Sequence, residues 1–272
     1  MGITISVLTI VKGRREALLN MIRGLAMNAD TDMELIVVHM NEEDYPLPPV
    51  SFSLSSFCLL SEEALPLAKA RNFAMSKASA EHCIFLDVDC IPEENFISAY
   101  RKAFAQRDVL WSGSVRYLNT NLLPDLHTGA LQILSKADPI RGGLTSMPYE
   151  LFWSLNFGCS KSVFGKIGGF DEEYTGYGAE DTDFAFMARA NHVQLEMLEA
   201  TAYHQPHASY NPPLNHLEDI ISNARVFHRK WHQWPMEGWL TQFRDMGYIS
   251  WDHDHINILN YPEQAVIETY RK

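Results

Sequence analysis

The chain has 272 residues, enough for one large domain or for a domain with an appendage. Hydrophobic content of 46% and charged content of 21% are ordinary for a soluble globular protein. The formal net charge of −12 argues against a nucleic-acid partner, which needs clustered Lys and Arg, while leaving room for phosphates held by a metal and a few local cations.

Ile3 to Val11 is a largely apolar strand, and Lys12-Gly13-Arg14-Arg15 is the turn after it. Leu18, Ile22 and Leu25 then recur at helical spacing. Glu34 to Met40 is a second buried strand opening into the polar turn at Asn41, and a short strand is expected at Ser56 to Leu60. Glu63 to Ala80 is alanine-rich with Leu67, Ala70, Phe73 and Ala74 on one face, which predicts a helix. Ile84 to Ile91 is an apolar run interrupted by two carboxylates, Asp87 and Asp89, and leads through Pro92 into a helix over Glu93 to Gln106. Successive strand–helix units with continuously apolar strands predict an α/β fold with a mainly parallel sheet covered on both faces. In such sheets ligands bind at the carboxyl ends of the strands, the edge shared by Asp87, Asn41 and the Thr9–Arg14 turn.

The second half is less regular. Val109 to Tyr117 reads as a strand and Asn119 to Pro148 as a long connection, a length that commonly marks a functional loop. Leu151 to Ser160 and Gln194 to Tyr203 read as strands, and Ala179 to Arg189 as a helix. Asn215 to Trp231 is an amphipathic helix with Leu217, Ile220, Ile221, Ala224, Phe227 and Trp231 on its apolar face. The expected organisation is a domain over residues 1–210, with halves at 1–118 and 150–210, followed by a helical appendage over 211–272.

The four cysteines lack metal spacing and fit reduced thiols. No run reaches the roughly 18 apolar residues of a membrane span, and no signal peptide opens the chain, so a cytoplasmic location is expected. Trp231, Trp234, Met236, Trp239 and Leu240 crowd together, which fits either a peripheral membrane contact at the inner face or packing on the main domain.

Three constellations carry chemistry. Asp87 and Asp89 on an extended segment would share a face and repel unless a cation sits beside them, and Mg²⁺ or Mn²⁺ is usually held by such carboxylates together with substrate phosphates. The alternative is a capped strand whose Asp89 is a solvated turn residue. Glu180 and Asp181 fall in the first turn of the Ala179–Arg189 helix, where the dipole keeps carboxylates ionised, as a general base requires; the alternative, commonplace in sequence terms, is an acidic helix cap. Asp183, two positions on, lies on another helix face and should tolerate change to Asn better than Asp181. His204 and His207 follow the Gln194–Ala202 segment, and either could join Asp89 in an octahedral site; the alternative is a histidine packed or hydrogen-bonded in a loop. The alternation at Trp251-Asp252-His253-Asp254-His255 reads instead as a solvated edge.

Leu67 to Ala74 and Phe85-Leu86-Asp87-Val88-Asp89-Cys90-Ile91-Pro92 resemble nucleotide-sugar glycosyltransferases of the GT-A fold, family 2. Asn156-Phe157-Gly158-Cys159 through Gly168-Gly169-Phe170-Asp171-Glu172 to Gly178-Ala179-Glu180-Asp181 resembles the galactosyltransferase module shared by β-1,4-galactosyltransferases and polypeptide GalNAc-transferases. The likeness runs from about Ile3 to His207. It implies a Rossmann-like GT-A sheet, a Mn²⁺ or Mg²⁺ cofactor, a UDP-sugar donor and a glycan or lipid-linked acceptor. By position, Asp87 would meet the ribose and the metal shell, Asp89 would ligate the ion, and His204, or secondly His207, would complete the site. Thr9, Val11, Arg14, Asn41 and Arg71 would line the nucleotide pocket, with Asn156 and Gly158 on the substrate side. Glu180 would hold acceptor hydroxyls, and Asp181 would be the base of an inverting transfer. The galactosyltransferases carry Trp-Gly before their acidic pair where this chain has Tyr177-Gly178-Ala179. A retaining transferase, a nucleotidyltransferase reading Lys12-Gly13-Arg14-Arg15 as a thin phosphate loop, and a non-catalytic sugar-binding module are the competing readings.

Overall fold

The computed structural model describes residues 2–28, 31–121 and 126–272. Four parallel strands build the first half of the sheet: β1 (Ile5–Val11), β2 (Met33–Met40), β3 (Ser53–Leu59) and β4 (His82–Leu86), with α1 (Arg15–Ala26) after β1 and α2 (Leu67–Lys77) after β3. Next come β5 (Cys90–Pro92), α3 (Phe96–Gln106), β6 (Leu110–Leu118), α4 (Thr128–Ile133), β7 (Ser135–Ala137), β8 (Asn156–Ser160) and α5 (Lys161–Ile167). The chain continues through α6 (Glu180–Ala190), β9 (Leu195–His204), α7 (Leu217–Trp231), α8 (Glu237–Asp245), β10 (Ile249–Trp251), β11 (Ile256–Ile258) and α9 (Gln264–Thr269).

The main sheet runs β3-β2-β1-β4-β8-β6-β9-β5, with β7 paired to β6. β8 is antiparallel to both its neighbours, whereas β6 and β9 are parallel, so the sheet is mixed with a parallel first half. Alternation along each strand feeds two cores. Val7, Val11, Leu35, Val37, Ile84 and Leu86 pack towards α1 and α3. Leu8, Ile10, Ile36, Val38 and Phe85 pack on the opposite face towards α2, α5 and α6. Every residue of β1 and β2 is buried, which is why both strands read as unbroken apolar runs.

The apolar run around the acidic pair is not one extended segment. β4 stops at Leu86, Asp87 to Asp89 form a turn closed by the Cys90 N–H on the Asp87 carbonyl (2.9 Å), and β5 then leaves to pair with β9. The reason is competition for partners: β5 takes the edge of β9 at the far end of the sheet, where Cys90 faces His204. Sequence periodicity also missed α5, a helix capped by the Ser160 hydroxyl accepting from the Val163 N–H, and it placed the start of α3 three residues early.

The expected long connection is only partly irregular, since it holds α4 and β7. The C-terminal segment is not purely helical, because β10 and β11 form a hairpin beside α7 and α8. Its own core joins Leu217, Ile220, Ile221, Ala224, Leu240 and Phe243. The tryptophan-rich cluster turns inward: Leu240 is fully buried, while Trp234, Met236 and Trp239 pack against that core and Trp231 against Phe186 and Phe227. No helix among the described residues is long and apolar enough to cross a membrane.

Candidate active site

One side of the site is made where β5 meets β9. Their pairing sets Cys90 opposite His204, and the Gln205 N–H donates to the Asp89 carbonyl at 2.8 Å, so two segments far apart in the chain are locked together. The Gln205 side chain extends the lock to α1, donating to the Ala17 carbonyl (3.1 Å) and accepting from Asn20 (2.8 Å). Asp89 Oδ1 then lies 3.4 Å from His204 Nε2, and Oδ2 lies 3.5 Å from His207 Nε2. One ligand atom from each of the three falls within 4.8 Å of the others. The turn after β1 brings Arg14 to the same carboxylate, Nη1 to Oδ2 at 2.9 Å, past Gly13, whose φ of +64° suits a residue without a side chain.

This group fits a divalent ion. Asp89 is 5% exposed and its Oδ1 has no hydrogen-bond partner, a cost of about 1–3 kcal/mol that a cation would remove. Burial, opposed by Asp89, holds His204 below the usual histidine range, so its ring is neutral at pH 7, the form that ligates a metal. One carboxylate with two imidazoles is a softer set than Mg²⁺ prefers and suits Mn²⁺ better. Asp87 stands outside the group. Burial first, and the nearby Asp89 charge second, raise its carboxyl above the usual range, with Arg71 and Arg14 opposing.

The other side is the start of α6. Its position is set by an aromatic core in which Phe184 stacks on Phe170 (4.4 Å) and touches Phe157, Phe164 and Phe152. Ala179 precedes the helix with a φ of +72°, a conformation that costs a residue with a side chain roughly 1 kcal/mol or more. Glu180 is buried and paired with Arg71 (2.9 Å), whose guanidinium also sits over the Phe170 ring. Asp181 is deep in the fold yet still reached by solvent. Its Oδ1 accepts from the Thr182 N–H (2.7 Å) and its Oδ2 from the Ser154 N–H (3.4 Å). Burial first, then the neighbouring Glu180 charge, push the Asp181 carboxyl up to about 7, against the pull of Arg71.

The two sides meet through the loop before β8. Its Leu155 carbonyl accepts from the Asp87 N–H at 2.9 Å, and its Ser154 N–H is the one that reaches Asp181. Thr9, Arg71, Asp87 and Ser154 line a crevice of about 10 Å³ between them, and Thr9 Oγ1 there has no partner. Asn41, with φ +51°, donates to the Glu63 carbonyl (2.6 Å) and accepts from the Ser61 N–H (2.7 Å), so it brackets the end of β2.

Three expected substrate contacts are committed elsewhere. Asn156 is 1% exposed; it accepts from the Tyr100 hydroxyl (2.8 Å) and donates to the Ser114 (3.0 Å) and Ala200 (2.9 Å) carbonyls, a cross-link inside the sheet. Gly158 faces α3, where a Cβ would lie 2.7 Å from the Tyr100 ring, so the glycine serves close packing. The Val11 side chain is fully buried in the core, leaving only its backbone to face a ligand. Asp183 is also different from expectation: fully buried, it accepts from the Tyr174 hydroxyl (3.1 Å), Lys230 Nζ (2.9 Å) and Trp231 Nε1 (2.7 Å).

Sequence reasoning gave no part of the site to residues beyond 210, yet α7 and α8 hold the loop in front of Glu180. Asn223 accepts from the Thr175 N–H (3.2 Å) and donates to the Thr175 (2.9 Å) and Gly178 (2.8 Å) carbonyls. The Tyr177 ring stacks on His216 (4.5 Å) and lies 6.0 Å from Trp239. Burial, followed by the charges of Glu180, Asp181 and Asp87, raises the Tyr177 phenol to about 12, so it stays protonated at pH 7. The only signal in the chain was the spacing Gly176-Tyr177-Gly178, whose positive φ values of +71° and +99° flank one aromatic residue.

The description "Glycosyl transferase family 2" matches residues 6–164, more than half of the chain, and "N-terminal domain of galactosyltransferase" matches residues 143–208. Among characterised relatives, the validoxylamine A glucosyltransferase of Streptomyces hygroscopicus subsp. jinggangensis (strain 5008) is 34% identical over 85 residues, covering 31% of this chain and 20% of that protein. The chondroitin synthase of Pasteurella multocida (strain Pm70) is 24% identical over 171 residues, covering 51% of this chain and 18% of that one. The chain thus spans about a fifth of the length of either relative. In fold it is similar to S. aureus TarS 1-349 in complex with UDP-GlcNAc (TM-score 0.55, 15% identity, 75% of this chain and 59% of that chain). It is also similar to GalNAc-T7 with UDP, GalNAc and Mn²⁺ (TM-score 0.56, 14% identity, 83% of this chain and 48% of that chain). A curled mixed sheet carrying a carboxylate–histidine cluster at one strand end, read with the match over residues 6–164, assigns this chain to glycosyl transferase family 2, with a GT-A fold.

Proposed function

We propose that the protein transfers a hexose from a UDP-sugar to a hydroxyl of a glycan or lipid-linked acceptor, with inversion at the anomeric carbon and Asp181 as the base. The observation that carries this reading is the pairing of a metal-ligating group at Asp89, His204 and His207 with a solvent-reached carboxylate of raised pKa at Asp181, bridged by the loop 152–155. A divalent ion held by Asp89, His204 and His207 would supply positive charge for a diphosphate leaving group.

The chain's own residues supply the rest. Arg14 sits on Asp89 with a third of its side chain exposed, so its guanidinium can serve diphosphate oxygens at the same place. Thr9 carries a buried, unpartnered hydroxyl beside Asp87, and the crevice there has room for a water that would bridge it to a nucleoside hydroxyl. Asp181 accepts the acceptor's proton as that oxygen attacks; its raised pKa makes it a better base than an ordinary aspartate while leaving it ionised above pH 7. Arg71 fixes Glu180 beside it, and the free oxygen of Glu180 can orient acceptor hydroxyls.

The family-2 relative named a chondroitin synthase supports a glycan acceptor, and the folds seen with UDP-GlcNAc and with UDP, GalNAc and Mn²⁺ support a UDP-sugar donor with a metal. The test is UDP release from UDP-sugars in the presence of Mn²⁺ with the anomeric product identified by NMR. Asp181→Asn should lower turnover by about 10²–10⁴-fold while UDP binding by calorimetry persists. Near wild-type transfer by Asp181→Asn would reduce Asp181 to a helix cap, and a product of retained configuration would replace the single displacement by a retaining route.

A further inference from the structure

A second concavity is remote in sequence from Asp89 and Asp181. It is an open groove of about 310 Å³ between α7 and the β10–β11 hairpin. Arg225, His228 and Arg229, at i, i+3 and i+4, line it from one helix face, beside the face that α7 buries with Leu217, Ile220, Ala224 and Phe227. Three features give it a chemistry.

First, Arg225 is a cation with no carboxylate at ion-pair distance among the described residues. Its Nε and Nη2 both donate to the Ile256 carbonyl, at 3.3 and 3.0 Å, which fixes the plane of the guanidinium without neutralising it. In a chain of net charge −12 an oriented, unneutralised arginine in a concavity is a specific feature rather than part of a general field. Second, the wall beside it is a flat aromatic pair. The His228 ring lies on the Trp234 indole with centroids 3.9 Å apart and planes 17° from parallel, and Trp234 is fixed by its Nε1–H on the His253 carbonyl (2.9 Å). Third, Arg225 and Arg229 outnumber the one carboxylate of the lining, Asp254, and Arg229 has only an exposed surface pair with Glu173, of the kind worth little in solution.

From the fixed guanidinium set beside a stacked indole–imidazole pair, we infer that this groove binds an acidic oligosaccharide, with Arg225 on a carboxylate of one sugar and a neighbouring ring against the His228–Trp234 pair. A flat ring covers the CH-rich face of a pyranose, and a planar guanidinium fork matches a carboxylate. The groove belongs to the same helix that clamps the loop before Glu180, so a chain held here would be held by the element that faces the acceptor side.

The test uses the full chain and isothermal titration with hexagalacturonate, with maltohexaose and inorganic phosphate as comparison probes. Hexagalacturonate should bind and weaken as salt is raised, while maltohexaose and phosphate bind at least tenfold more weakly. Arg225→Gln and Trp234→Leu should each weaken hexagalacturonate about tenfold or more, and Asp254→Asn should tighten it several-fold. Thermal unfolding of each variant checks that it is folded, and the exposed Asp254→Asn keeps the test alive if Trp234→Leu is not. Absence of hexagalacturonate binding, equal binding of maltohexaose or phosphate, or affinity unchanged by both Arg225→Gln and Asp254→Asn would overturn the inference.

Discussion

Asp181 and Asp183 share a helix and a residue type, yet their surroundings are opposite. Asp181 holds only two backbone N–H groups and one hydroxyl, at 2.7 to 3.4 Å, and stays in reach of solvent, so its raised pKa is a property free to serve a substrate. The sign of the resulting pH dependence is fixed: the base form is lost as pH falls through about 7, so kcat/KM should fall on the acid side with that apparent pKa. Glu180→Gln removes the second cause of the raised value and frees Arg71 to lower it further. A pH–rate profile of that variant should therefore show its acid limb moved to lower pH. A limb that stays or moves upward would mean the titrating group is not Asp181. Asp183 is the reverse case, with three donors and no exposure. The expectation that it would tolerate change rested on helix-face spacing, which cannot register Lys230 and Trp231 arriving from a helix nearly fifty residues away. Asp183→Asn sets an amide among three donors and should cost about 1–3 kcal/mol, read as a lowered melting temperature with the pH limb of the active fraction unmoved.

At the scale of elements, what could be read from the chain and what could not divides along one physical line. β1 and β2 are buried on both faces, so their apolar runs announced them, and α1 and α7 carried their amphipathic stripes openly. The acidic pair was legible as a candidate cation site because like charges so close need a counter-charge, and the structure sets Asp89 of the pair beside His204 and His207. Its local shape was not legible: the break at Leu86 depends on β5 pairing with β9, and a non-local strand pairing leaves no periodicity in either segment. Asn156 and Gly158 show the same limit, since one is a sheet cross-link and the other a place for Tyr100, and neither partner is near in sequence. The contribution of α7 to the site was invisible for that reason too. Asn223 makes three hydrogen bonds to the loop at Thr175 and Gly178, and a Cβ at Gly176 would lie 2.4 Å from Asp219. Asn223→Ala leaves those backbone groups without partners and should cost on the order of 2–4 kcal/mol. Because Tyr177 and the start of α6 follow from that loop, hydrogen exchange at the α6 amides should rise and acceptor KM should increase more than donor KM. Equal changes in both constants would show that the loop does not face the acceptor.

For the whole molecule, the expected division at residue 210 separates two sets of residues but not two structures. Every proposed metal ligand and Asp181 itself lie before that point, which suggests a self-sufficient domain. The packing says otherwise. Phe186, Tyr174 and Ala179 form one buried cluster with Phe227 of α7, and Asp183 loses two of its three donors without Lys230 and Trp231. Residues 1–210 alone would therefore expose an apolar surface along α6 and leave a buried carboxylate with only the Tyr174 hydroxyl. Loss of a buried charge's partners costs about 3–5 kcal/mol, a large share of the stability of a typical domain. The end that carries Asp89, His204 and His207 has different supports: β5, β9, α1 and Gln205 all lie within residues 1–210. Truncation at residue 210 should thus separate the two halves of the site. The shortened chain should keep Mn²⁺-dependent UDP binding by calorimetry, within about tenfold of the full chain, but bind a hydrophobic dye, exchange its α6 amides rapidly and transfer no sugar. Full transfer by the truncated chain would show that α7 and α8 are an independent module, and loss of Mn²⁺-dependent UDP binding together with transfer would show that the appendage supports the entire fold rather than the acceptor side of it.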